Sequence, residues 1–318
     1  MRAPEFWTHD DWRARALAPL GWLHGASVAW KARHAASYRA GAAVVCVGNL
    51  SVGGTGKTPV AVEIARLLIA RGRRPYFLSR GYGGRLRGPL LVGQGADARD
   101  VGDEPLLLAR AAPVIVSRDR REGARLAVEH GADTIVMDDG HQNFALVKDL
   151  SLVVVDGEAG FGNAQVLPAG PLREPVAQGL ARADAVVVIG VGNPPLENFP
   201  HAVLRAHLIH YGPDVTHKRL VAFAGIGRPD KFFQALIAQG AEIADSKAFA
   251  DHHTYSPAEI ARLKSKARSR GALLVTTEKD FVRLTQPERD GILALPVRAA
   301  FDEPAVLARL LDRLGPKR

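Results

Sequence analysis

A single cysteine, Cys46, occurs in 318 residues. It excludes an internal disulfide and any cysteine-based zinc cluster. Cys46 lies inside an apolar run, so it reads as a small buried residue, and its isolation fits a reducing, cytoplasmic compartment. Long hydrophobic runs are also missing: none approaches the roughly 18 apolar residues of a membrane span. Acidic Glu5, Asp10 and Asp11 argue against a signal peptide at the start. There is no internal repeat, no low-complexity segment, no helix-turn-helix signature and no arginine-aromatic RNA motif. The formal net charge of +9 therefore favours a nucleotide, an anionic lipid or a phosphorylated substrate as partner over nucleic acid.

Tryptophan is scarce and unevenly placed. All four, Trp7, Trp12, Trp22 and Trp30, fall in the first 30 residues. Arg2, Arg13, Arg15, Lys31 and Arg33 are interleaved with them or follow directly. Two readings stand side by side. One is an interfacial helix at a membrane surface, where indole rings and basic side chains are both favoured. The other is a helix packed on the domain with its tryptophans in the core.

The most informative segment is Ser51-Val52-Gly53-Gly54-Thr55-Gly56-Lys57-Thr58. It follows the strand-like run 43–47 and precedes a helical pattern beginning at Pro59. Strand, glycine-rich turn ending in Gly-Lys-Thr, then helix is the context of a phosphate-binding P-loop. Glycines let backbone N–H groups converge on phosphate oxygens, and the helix start adds its dipole. Lys57 is the candidate for the β- and γ-phosphates of ATP, and Thr58 for Mg²⁺. Ser51 departs from the usual pattern, which has glycine there; Gly53 and Gly54 supply backbone freedom instead.

Further strand candidates are 75–79, 113–116, 134–137, 152–155 and 185–189, alternating with helices at about 59–71, 105–112 and 119–130. Short valine- and isoleucine-rich runs of this kind suit strands buried on both faces. The pattern predicts an α/β fold: a P-loop doubly wound, mostly parallel sheet, with a second, smaller α/β domain after the proline-rich break at 192–200. In the second part, 220–224 and 273–276 read as strands and 230–238 as a helix. Ser256 and Glu259 form a capping box that opens another helix, and a last helix runs from about 303 to 314. The expected boundary is near 205, dividing 1–205 from 206–318.

Chemistry-bearing residues recur at the ends of these strands. Asp138 and Asp139 end the 134–137 strand, where a Walker B carboxylate belongs. Asp103, in Gly102-Asp103-Glu104-Pro105, is either a plain N-cap or a base that takes a hydroxyl proton. Arg80 ends the second strand among glycines. Arg173 and Glu174 close the proline-rich loop from Leu167. His252 and His253 follow Asp251, with no third ligand at metal-binding spacing.

In combination these segments resemble the tetraacyldisaccharide 4′-kinase family, the lipid A 4′-kinases. The motifs that carry the resemblance, besides the P-loop, are Ser79-Arg80-Gly81-Tyr82-Gly83, Gly102-Asp103-Glu104-Pro105 and Asp138-Asp139-Gly140-His141-Gln142. Leu167-Pro168-Ala169-Gly170-Pro171-Leu172-Arg173-Glu174, Asp251-His252 and Thr277-Glu278-Lys279-Asp280 continue it in order. The resemblance implies transfer of the ATP γ-phosphate to the 4′-hydroxyl of a tetraacylated disaccharide 1-phosphate. It also implies a peripheral enzyme on the cytoplasmic face of a Gram-negative inner membrane. It gives the base role to Asp103 with His252 as partner, phosphate and Mg²⁺ roles to Lys57, Thr58, Asp138 and Asp139, and metal assistance to Glu174. A base on one domain and its partner on the other imply that closure completes the site. Two other classes fit the P-loop alone: a soluble small-molecule kinase or ligase, and an ATP-driven switch or partitioning ATPase.

Overall fold

The structure, a computed structural model, describes residues 4–9 and 11–315. Arg2 and Asp10 lie outside them. Thirteen strands are present among the described residues: β1 (Ala43–Gly48), β2 (Pro75–Ser79), β3 (Leu90–Leu91), β4 (Val114–Val116), β5 (Thr134–Asp138), β6 (Leu150–Asp156), β7 (Ala185–Ile189), β8 (Ala202–His210), β9 (Arg219–Ala224), β10 (Glu242–Ala248), β11 (Leu273–Thr277), β12 (Ile292–Leu295) and β13 (Val297–Phe301). The helices are α1 (Trp12–His34), α2 (Lys57–Ala70), α3 (Ala98–Val101), α4 (Asp103–Leu108), α5 (Arg120–Glu129), α6 (Val176–Leu180), α7 (Pro229–Ala238), α8 (Pro257–Ser269), α9 (Glu278–Phe281), α10 (Gln286–Arg289) and α11 (Pro304–Asp312).

Nine strands form one sheet in the order β13-β8-β7-β6-β1-β5-β2-β4-β3. Its interior is parallel, with antiparallel strands only at the two edges, β3 on β4 and β13 on β8. Strand β1 is buried along its whole length, Cys46 included. It pairs with β5 on one side and β6 on the other. The loop leaving its carboxyl end therefore opens between two neighbouring strands, the crevice where such sheets bind ligands. Val60, Ala61, Ile64 and Leu68 of α2 pack the sheet's core side. A second, wholly parallel sheet, β10-β9-β11-β12, carries α7 and α8. The α/β class with a large mostly parallel sheet and a smaller one is as the sequence predicts.

The proposed cut near 205 falls within β8, which pairs in parallel with β7 of the larger sheet. The chain reaches the smaller sheet only at β9 and later returns. Strand β13 pairs with β8, and Leu307, Leu310 and Leu311 of α11 join the core of the larger sheet. The division 206–318 thus does not describe the second unit. The return is driven by an edge strand in need of a partner and by the apolar stripe of α11.

Helix α1 decides the question of the tryptophans. Ala14, Gly21 and Gly25 are its buried residues. A Cβ on Gly21 would lie 2.6 Å from the Val166 carbonyl oxygen, so only glycine lets the helix approach the 166–175 loop this closely. Trp12, Trp22 and Trp30 are 72%, 72% and 61% exposed, and Leu20 and Leu23 are exposed with them. At about 100° per residue, Trp12, Leu23 and Trp30 fall within about 20° of one line, and Gly21 lies about 180° away. The docking face is made of small residues and the solvent face carries the aromatics. The core reading therefore fails for these three. Trp7 alone is tied to the domain, donating its indole N–H to the Pro168 carbonyl at 3.1 Å. No helix among the described residues is long and apolar enough to cross a membrane.

Candidate active site

The P-loop runs from the end of β1 into α2. Gly56 is the N-cap of α2 with φ +88°, and Gly53 has φ +111°, conformations that favour glycine. Nothing lies within 4 Å of where a Cβ on Gly53 or Gly54 would stand, so that part of the loop faces open space. Its shape is fixed from behind. Buried Asn49 donates to the Ser51 carbonyl at 2.6 Å and to Thr55 Oγ1 at 3.3 Å. Val52 N–H donates to the Pro171 carbonyl, and Arg173 N–H to the Leu50 carbonyl. The proline-rich loop is thus a brace laid along the P-loop.

Lys57 Nζ stands 3.8 Å from Asp139 Oδ1. Thr58 Oγ1 donates to Asp138 Oδ2 at 3.1 Å. Asp138 is the last residue of β5 and is buried; its Oδ1 has no protein partner. Burial, with the Glu104 charge nearby, pushes the Asp138 carboxyl up to about 7, against the pull of Lys57. A buried carboxylate oxygen without a partner, beside a threonine hydroxyl at a P-loop, is a donor set of hard oxygens suited to Mg²⁺. Asp139, at φ +53°, turns the other way and is gripped by Arg173 at 2.8 Å as well as by Lys57. Those two cations outweigh its burial and hold it below the usual carboxylate range. Glu174 does not join the metal pair here. It accepts from Arg182 at 2.5 Å and from Gln142 at 2.9 Å. The adjacent Arg173 and Glu174 therefore serve separate contacts, and among the described residues no group of three His, Cys, Asp or Glu side chains has metal-holding geometry.

Asp103 opens α4, but Gly102 is the N-cap, so the plain capping reading of Asp103 does not apply. Gly102 has φ +88°, and a Cβ there would meet the Tyr82 carbonyl at 2.4 Å. That close turn aims Asp103 across the cleft. His252 Nδ1 lies 3.1 Å from Asp103 Oδ2. His252 itself is held at φ +58°, a backbone state uncommon for a residue with a side chain. Its N–H donates to the Gly225 carbonyl, and its ring meets Tyr82 edge-on at 5.7 Å. Burial alone would raise the Asp103 carboxyl. The His252 hydrogen bond and the Lys279 and Arg283 charges overcome this and hold it well below the usual range. His253, by contrast, stacks on Phe249 and bonds Glu259, a structural role.

The P-loop from Val52 to Thr58, the Asp138-Asp139 pair and His252 line one cleft of about 1960 Å³, and buried Asp103 stands directly behind His252 in its wall. That exceeds the roughly 300–1,000 Å³ of a single small-molecule pocket, so the cleft has room for two substrates. Its flanks are bridged between the two sheets. Arg110 pairs with Glu278 on one side, and Arg228 with Asp156 at 2.8 Å on the other. Arg80, Arg118 and Arg120 line the same cleft. Arg120 is buried and donates to the Ser117 carbonyl at 2.8 Å. The sequence reading did not single out Arg120, Asp156 or Arg283. A basic residue one position past a helix cap is a weak signal, and the partners of the other two are remote in sequence.

A nucleotide cradle at a topological switch, a hydroxyl–carboxylate pair beside it, and a carboxylate–imidazole pair facing it define a P-loop phosphotransferase-type site. A model of the tetraacyldisaccharide-1-P 4′-kinase family matches residues 13–315. The chain belongs to that family. It is 50% identical over 322 residues to the tetraacyldisaccharide 4′-kinase of Paramagnetospirillum magneticum, covering 99% of both chains. It is also 50% identical over 320 residues to that of Gluconacetobacter diazotrophicus, covering 98% of both. Among solved structures, LpxK from Aquifex aeolicus in complex with ATP is similar, with a TM-score of 0.77 and 26% identity over 95% of this chain and 99% of that one.

Proposed function

We propose that the chain transfers the γ-phosphate of ATP to the 4′-hydroxyl of a tetraacylated glucosamine disaccharide 1-phosphate, yielding ADP and the 4′-phosphorylated lipid. The observation that carries the reading, beside family membership, is the 3.1 Å contact of Asp103 with His252, which lines the same cleft as the P-loop. An ATPase switch has no need of a second carboxylate that faces an acceptor. Ser51 to Thr58 cradle the phosphates, and Lys57 neutralises the transferring group. Thr58 and Asp138 hold Mg²⁺, which supplies further neutralisation when bound. Asp139 serves by orienting Lys57, and Glu174 by fixing the brace through Arg182 and Gln142. Asp103 accepts the proton of the 4′-hydroxyl as its oxygen bonds to the γ-phosphorus and the bond to ADP breaks. His252 orients the carboxylate. Arg80, Arg118 and Arg120 present a basic wall to an anionic acceptor.

Turnover decides among the classes. ADP release that depends on the tetraacylated disaccharide 1-phosphate in mixed micelles supports the kinase reading. Equal activity with water-soluble acceptors supports a small-molecule kinase, and acceptor-independent hydrolysis an ATPase.

Peripheral attachment to the cytoplasmic face of an inner membrane belongs to the same proposal. Its support is the exposed aromatic face of α1 with Lys31, Arg33 and His34 in the last turn. Each basic residue near an anionic surface contributes about 1 kcal/mol, screened by salt, while the indole contribution is not. The full chain is expected to co-sediment with anionic vesicles, more weakly but still measurably in high salt. A version lacking residues 1–30 should stay in the supernatant. Equal sedimentation of both, or of neither, sinks the interfacial reading.

A further inference from the structure

Asp103 is held almost entirely from the smaller sheet's side of the cleft. Its Oδ2 faces His252 Nδ1 at 3.1 Å, Arg283 Nε at 3.0 Å, Arg283 Nη2 at 2.5 Å and Lys279 Nζ at 4.0 Å. Its Oδ1 takes only the Glu104 N–H, at 3.1 Å. Of these partners Arg283 has the most constrained geometry. Its side chain is 8% exposed. Its Nη1 donates to the Gly225 carbonyl at 2.7 Å and to Asp280 Oδ1 at 2.8 Å. Asp280 is fully buried and over-determined in turn: it accepts from Tyr255 Oη, Thr277 Oγ1 and the Gly225 N–H. The Gly225 carbonyl that receives Arg283 also receives the His252 N–H. One buried scaffold therefore sets both groups that grip the carboxylate.

We propose that Arg283 is a positioning residue for phosphoryl transfer: clamped by Asp280 and Gly225, its guanidinium fork pins Asp103 Oδ2 and leaves Oδ1 to accept the proton of the acceptor hydroxyl. The inference rests on the reading of Asp103 as the base. A planar fork with two N–H groups on one oxygen restricts the carboxylate's rotation further than the single imidazole contact of His252 does. Positioning of this kind matters because a small misplacement of a reacting group costs about 10²-fold. His252, about a third exposed, lies on the open side of the carboxylate, and Arg283 lies on its buried side. The two roles are thus distinct. Lys279 also bridges to Glu104 at 3.7 Å, so it contributes charge without fixing geometry.

The test uses the full-length enzyme with ATP and the tetraacylated disaccharide 1-phosphate. Arg283→Met is expected to lower kcat about 10²-fold with KM for ATP within about threefold of the parent, because the P-loop is untouched. Arg283→Lys keeps a charge but loses the fork, and should recover about tenfold of that loss. Methylguanidinium added to Arg283→Gly should restore part of the rate. In an Asp103→Asn background, Arg283→Met should cost less than about threefold more, since residues acting as a unit are non-additive. A kcat within threefold of the parent in Arg283→Met overturns the proposal. So does full additivity with Asp103→Asn, or Arg283→Lys no better than Arg283→Met together with no guanidinium effect. If Asp103→Asn itself turns over normally, it is the base reading that falls. Should Arg283→Met fail to fold, Arg283→Lys and the guanidinium titration still decide.

Discussion

Lys57→Ala is expected to lower kcat by about 10²–10³-fold or more in a protein that remains folded. The side chain does little for stability: it is not part of a packed cluster, and its one close carboxylate, Asp139, keeps Arg173 as a 2.8 Å partner when the lysine goes. Its value lies in the transition state. Charge spreads over the transferring phosphoryl group, and a fixed cation aimed there needs no reorganisation; removing one such interaction costs roughly 3–4 kcal/mol. The loss should fall on kcat and on kcat/KM for both substrates. Steady-state rates in mixed micelles, beside a thermal melt, make the check. Near-normal kcat in folded Lys57→Ala would take the P-loop out of the catalytic account.

The contrast between Lys57 and Arg283 shows what the chain reveals locally and what it does not. The P-loop is legible because its parts are adjacent: a buried strand, glycines and a helix start within about twenty residues, each with its own periodicity. Asp138 was legible for the same reason, since a carboxylate ending a buried strand lies at the sheet's ligand edge. The outer strands β8 and β10 were not. Strand β8 alternates buried and exposed residues, and β10 is polar along much of its length, so neither reads as the apolar run of an interior strand. The return of β13 and α11 to the larger sheet is a non-local pairing that no window of sequence contains. Arg283 reaches Asp103 from 180 positions away, and nothing in its immediate context marks it. Tryptophan placement was ambiguous for a different reason. Periodicity says which residues share a helix face, but only the glycine contacts at Val166 and Pro175 say which face meets the protein. The family resemblance supplied Asp103 and His252 as a pair; the geometry adds that Gly102, not Asp103, caps α4 and so frees the carboxylate for other work.

Asp103→Asn is expected to lower kcat by about 10²–10⁴-fold, the range of a lost general base, while KM for ATP changes little. Asparagine keeps the shape and can still meet His252, but its amide cannot take the acceptor's proton. The substitution also leaves the Arg283 guanidinium facing a neutral group in a buried setting. Arg283 keeps buried Asp280 at 2.8 Å, so the loss stays below the roughly 3 kcal/mol of a buried charge left wholly unpaired, and the melting temperature should fall modestly. The sign with pH follows from the depressed folded value of Asp103. A carboxylate of this kind adds stability that is present above its unfolded value, about 3.9, and lost as pH falls through the lower folded one. The gap in melting temperature between parent and variant should therefore be full at neutral pH and narrow below about pH 4. Catalytic and structural losses are separable because the assay temperature can be kept well under the variant's melt. His252→Ala should lower kcat in the same direction and add little on top of Asp103→Asn, since the two act as one unit. Full additivity in the double variant would break the pairing. A lowered melting temperature with unchanged kcat in Asp103→Asn would reduce Asp103 to an interdomain anchor and end its candidacy as the base.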